Sequence, residues 1–147
     1  MRPVRGRDAA GRPVPLDSPQ AVEPVPEEAL PPYDALALAR DLLARGRPFF
    51  AHDVLEAAWK AAPARERLLW QGLAQVCVGL THLQRSNPVG GARLLRRGAD
   101  RLEEHLRTAT PDVAAATYGV DVARTVETAR QRADAVEAGT DGPAVAL

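Results

Sequence analysis

The sixteen residues from Leu68 to Leu83, LLWQGLAQVCVGLTHL, carry no formal charge in a chain that is 26% charged. Leu69, Leu73, Val76, Leu80 and Leu83 recur at spacings of four, three, four and three, the period of one helix face. Trp70, Ala74 and Cys77 extend the apolar surface onto a second side. A helix that is apolar over most of its circumference must have other helices packed around it. The run is slightly short for a membrane span and contains two glutamines and a histidine, so it reads as a buried core helix. Gln71, Gln75 and His82 lie at offsets of four and seven and share a polar stripe along it. If they are buried, each needs a partner, because an unmatched buried polar group costs roughly 1–3 kcal/mol.

The rest of the chain divides around that segment. Residues 1 to about 32 hold eight of the thirteen prolines and little apolar periodicity. They are expected to form a flexible arm that cannot bury enough surface to offset its ordering entropy. A first helix is predicted from Asp34, as N-cap, to Arg45, with Leu36, Ala39 and Leu43 inside and Gly46 as the stop. Pro48 suits the first turn of a second helix reaching about Ala62, where Pro63 ends it. The third runs from near Ala64 to near Arg85. Asn87-Pro88 opens a fourth, to about Thr108, with Ala92, Leu95, Ala99, Leu102 and Leu106 as its seam. Thr110-Pro111 restarts a short helical turn, and Asp121 caps a last helix to about Ala138. Nothing reads as a strand. Short loops between the first four helices imply antiparallel neighbours. The expected fold is an all-α, compact up-and-down bundle of four to five helices, with a domain over 33–139 and a flexible tail over 140–147.

Several function classes are disfavoured. Net charge is zero and the pI is about 6.8, which gives no general attraction to nucleic acid or anionic membrane. One cysteine excludes an internal disulfide and any zinc site of several thiolates. Cys77 reads as a small buried hydrophobe. The start, MRPVRGRDAAGRPVP, lacks the apolar core of a signal peptide, so a cytoplasmic location is expected. The only serines, Ser18 and Ser86, sit in no nucleophile motif.

Two constellations could carry chemistry. His52 and Glu56 are four apart on the second helix, with Trp59 close behind. If the second and third helices pair antiparallel, His52 approaches His82. His52, Glu56 and His82 then form a possible three-ligand set for a divalent transition metal (zinc, manganese or iron). The same groups, with Trp59, Gln71, Gln75 and Asn87, could instead form a closed hydrogen-bonded network or line a small-ligand pocket. Glu56 could also act as a general base in a hydrolase-like enzyme. The second constellation is Gly90, Gly91 and Arg93 at the start of the fourth helix, where free amides and the helix dipole favour an anion. The bland alternative is that the glycines allow close helix approach. Gly72 and Gly79 read as close packing too, under Trp59. His105 reads as a surface residue near a helix C-terminus. The apolar face of the last helix could support a homodimer.

The run Arg47-Pro48-Phe49-Phe50-Ala51-His52-Asp53-Val54-Leu55-Glu56-Ala57-Ala58-Trp59 resembles the opening signature of the bacterial and archaeal domain-of-unknown-function family 309. The runs Trp70–Gln75, Gly79–Asn87 and Gly90–Leu95 resemble later parts of it, so the likeness spans roughly residues 34 to 107. The form is similar to actinobacterial members, which suits a composition in which only Lys60 of the nineteen basic residues is lysine. Asp53 stands where the family more often has glutamate. The resemblance implies an all-helical bundle, and His52, Glu56, Trp59, Gln71, His82 and Asn87 match motif positions. It implies no reaction. A non-catalytic bundle with a polar pocket or network is the favoured expectation.

Overall fold

The computed structural model describes residues 5–110 and 117–147. Among the described residues there are five α-helices: α1 (Pro32–Ala44), α2 (Pro48–Ala61), α3 (Arg67–Gln84), α4 (Pro88–Thr108) and α5 (Val122–Glu137). A 3-10 turn, Ala64–Glu66, leads into α3. The short helical turn expected after Thr110 lies largely outside the described residues. Each helix packs on the next in sequence, α1 on α2, α2 on α3, α3 on α4 and α4 on α5. That is an up-and-down bundle, as the short connections require. No helix among the described residues is long and apolar enough to cross a membrane.

The ends of the helices follow local chemistry. Proline opens α1, α2 and α4, where its fixed φ and missing N–H cost nothing. The side chain of Asn87 accepts from the Gly90 N–H, and that of Asp121 from the Arg124 N–H. The first helix starts at Pro32 and not at Asp34; Asp34 instead lies in its first turn, where a carboxylate complements the dipole.

α3 and α4 meet backbone to backbone through four glycines. A Cβ on Gly72 would stand 3.1 Å from the Gly98 carbonyl oxygen, and one on Gly98 2.9 Å from that of Gly72. Gly79 and Gly91 repeat the relation at 3.0 and 3.2 Å. The close approach read for Gly72 and Gly79 is therefore real, but the partner is α4 and not Trp59. Each glycine lies seven residues from the next on its own helix, so one face of α3 lies flush on one face of α4. Around this seam lies a core that includes Trp70, Leu73, Val76, Leu95 and Leu102, each no more than 1% exposed. The apolar face of α5, Val122, Val126, Ala129 and Ala133, is buried within the chain. It is not left free for the homodimer considered above.

Two features outside the helices position the candidate site. Contrary to the strandless reading, Arg5–Arg7 and Pro13–Pro15 pair antiparallel as β1 and β2. Their connection is drawn tight by Asp8, whose Oδ1 accepts from the N–H groups of Ala10 and Arg12. Such Asx-turn chemistry is local and needs no apolar alternation to announce it. The connection lies on the bundle: Arg85 donates two hydrogen bonds to the Ala10 carbonyl, at 2.9 and 2.7 Å. At the other end, the Ala146 N–H donates to Thr128 of α5 and Arg40 of α1 donates to the Leu147 oxygen, so residues 140–147 bridge α5 and α1.

Candidate functional site

On α2, the four-residue spacing stacks His52 over Glu56, and Nε2 of the imidazole lies 2.7 Å from Oε2 of the carboxylate. The other carboxylate oxygen is 2.8 Å from the Lys60 ammonium, one further turn along. Nδ1 of His52 faces Asp53 at a looser 3.5 Å. The hydrogen bond from Lys60 lowers the Glu56 pKa, and the nearby His52 adds to the effect against a smaller opposing push from burial. Glu56 is thereby held as a carboxylate. A general base working near neutrality needs the opposite shift, so this environment suits binding or salt-bridge chemistry better than proton abstraction.

The start of α2 lies beside the end of α3, as antiparallel packing demands. Phe49 is bracketed by two guanidinium groups, Arg7 of β1 at 5.1 Å and Arg85 just beyond α3 at 5.4 Å from the ring centre. Its ring lies 6.2 Å from that of His52. Gly11, with φ +81°, passes over the same ring, where a Cβ would collide with it. The β1–β2 connection thus covers the corner of the bundle next to His52.

His82 has its own partner. The Asn87 oxygen is committed to the Gly90 N–H, so the amide nitrogen must be the group that lies 3.0 Å from His82 Nδ1. An amide NH₂ can only donate, and this makes Nδ1 the acceptor and puts the proton of neutral His82 on Nε2. The helix cap therefore sets the tautomer of the histidine. His82 offers an N–H donor from the same stripe that carries Gln71 and Gln75, and all three are half-buried.

The structure brings the candidate residues together only in pairs. His52 joins Glu56, and His82 joins Asn87. Among the described residues no group of three or more His, Cys, Asp or Glu side chains is placed to hold a metal ion. The set His52, Glu56 and His82 does not converge, because each imidazole is turned to a neighbour on or next to its own helix. Nor is the network closed. Oε1 of Gln75 is buried and has no hydrogen-bond partner. Trp59 is half-buried and packs against the edge of the core. The predicted anion cradle at Gly90 and Gly91 is filled by the chain itself: Asn87 accepts from the Gly90 N–H through its side chain and from the Gly91 N–H through its carbonyl. Arg93 is exposed at the surface of α4.

One polar cluster escaped the sequence reading. Glu66 is only 7% exposed, and its Oε1 accepts from the Trp70 indole at 3.2 Å and the Tyr118 hydroxyl at 2.7 Å. Burial raises the Tyr118 pKa, and Glu66 reinforces the shift. His105, expected at the surface, is 1% exposed, and burial lowers its pKa despite the nearby Glu66 charge. The seam of α4 runs through Leu95, Ala99 and Leu102 to His105, leaving Leu106 39% exposed. The spacing of three from Leu102 is the signal in the chain that puts His105 on this seam. Cys77 is buried as expected, and burial pushes its thiol up to about 12.

Fold and site together define a small antiparallel helical bundle with a polar stripe on its central helix. Residues 36–94 match the model of a family described as a domain of unknown function, DUF309, so this stretch of the helical bundle is similar to that family. Comparison with curated proteins and with solved structures gave no match.

Proposed function

We propose that this protein binds a small polar molecule along the α3 stripe of Gln71, Gln75 and His82, beside the His52–Glu56 pair and Trp59 of α2. The observation that carries this reading is the buried, unpartnered Oε1 of Gln75. A desolvated amide oxygen left without a donor costs about 1–3 kcal/mol, and a closed structural network would have supplied one. A bound molecule bringing an N–H or O–H group removes that cost. His82 contributes a complementary donor, Nε2–H, along the same stripe. Specificity in such a pocket comes from few polar groups set in apolar surroundings.

The test is native mass spectrometry of the full chain as purified, beside its Gln75→Leu variant. Leucine is close in volume and needs no partner, so the variant should keep its fold and gain up to ~1 kcal/mol in urea unfolding. The expected result is a small-molecule adduct on the wild type that the variant lacks. A bare polypeptide mass for both, with no melting shift across a panel of polar metabolites, overturns the reading.

A further inference from the structure

We infer that the groove between the start of α4 and the end of α5 is a second binding site, for a small amphipathic anion: an apolar body carrying one carboxylate, sulfonate or phosphate group. The groove encloses about 660 Å³, within the range of small-molecule sites. Pro88, Val89 and Val136 supply its apolar wall. Val89 is 77% exposed, the most exposed of the large hydrophobic residues among those described.

The charges around the groove are unevenly committed. Glu137 pairs with Arg96, which also holds Asp134 at 2.7 Å. Asp100 pairs with Arg130 at 3.0 Å, and Arg130 also holds Glu103 at 2.7 Å. Both acids of the wall are therefore held by arginines pinned across the α4–α5 seam, each arginine shared between two carboxylates so that each cluster keeps one net negative charge. Arg93 and Arg97 also line the groove, and neither has an ion-pair partner among the described residues. They stand four apart on one face of α4, a spacing at which two guanidinium forks can take the oxygens of one anionic group. The helix amides play no part, since Asn87 already fills them. The apolar wall beside two uncommitted cations selects a ligand with both characters. This site is independent of the α3 stripe.

The probe is 8-anilinonaphthalene-1-sulfonate, an apolar ring system with one sulfonate, titrated into the full chain by calorimetry and fluorescence. One site per chain is expected, weakened roughly tenfold or more in Arg93→Gln/Arg97→Gln and displaced by decanoate. The melting curve of that variant shows whether it folds. Val89→Ser, at a highly exposed position, removes apolar surface without adding charge and should also weaken the dye. Unchanged dye affinity in both variants overturns the site. Displacement by inorganic pyrophosphate at concentrations as low as those of decanoate overturns the amphipathic class of ligand.

Discussion

His105 shows how a single side chain can carry a pH dependence. Burial lowers its folded pKa from the ordinary 6.5, so the folded chain resists a proton that the unfolded chain accepts. The stability this contributes is complete above the unfolded value and is lost as pH falls below it toward the folded pKa. Urea unfolding between pH 8 and pH 5 should show wild-type stability falling toward acid, with a slope of at most ~1.4 kcal/mol per pH unit from this one site. His105→Leu should flatten that slope, whatever its stability at pH 8. Parallel slopes would assign the acid sensitivity to other groups. Glu56 behaves in the opposite chemical sense, as a carboxylate stabilised in its charged form by Lys60 and His52. The i,i+4 partnership of His52 and Glu56 could be read from spacing alone. The orphaned Gln75 oxygen and the tautomer of His82 could not, because each depends on how one amide is oriented by groups that only the fold brings together.

The α3–α4 pair was the most legible element and also the one with the largest hidden term. Its apolar periodicity and its caps are written in the chain, and the expected boundaries differ from the observed ones by a few residues at most. The partner of the glycines was not, since a seven-residue glycine repeat marks a flush face without naming what lies on it. Gly98→Ala measures how tight that face is. An added Cβ would sit 2.8 Å from a Val76 methyl and 2.9 Å from the Gly72 oxygen and the Val76 nitrogen. Two of these three atoms are backbone and cannot swing aside. Alanine gains ~1 kcal/mol of helix propensity, yet the overpacking should leave a net loss of about 1–3 kcal/mol. Gly46→Ala is the contrasting case. Nothing lies within 4 Å of its Cβ position and φ is +72°, so only the left-handed backbone cost of ~1–2 kcal/mol applies. Denaturant midpoints at constant m-value measure both; no loss in Gly98→Ala would mean that the α3–α4 contact yields more easily than its geometry implies.

Across the chain as a whole, the helices could be anticipated and the contacts of the segments outside them could not. The proline-rich N-terminal stretch has too little apolar periodicity to announce its docking, which relies on Gly11 over Phe49 and on Arg85 beneath Ala10. Gly11→Ala should lift the β1–β2 connection off the bundle without unfolding it. Trypsin should then cut after Arg7, at the start of the connection, about tenfold faster, because cleavage tracks the population of the open form, while helical circular dichroism stays unchanged; the Arg12–Pro13 bond is resistant to trypsin. An unaltered cleavage rate would mean that the connection is held by its hydrogen bonds to Arg85 alone.

The four-glycine seam also has a mechanical consequence. Two helices in backbone contact have no side-chain layer to slide on, so α3 and α4 move as one beam. The polar stripe lies on one member of that beam and the uncommitted arginines on the other, at a fixed separation. Occupying one should leave the other's affinity unchanged, and whatever compliance the protein has is left to α1, the N-terminal hairpin and the C-terminal segment that ties α5 to α1.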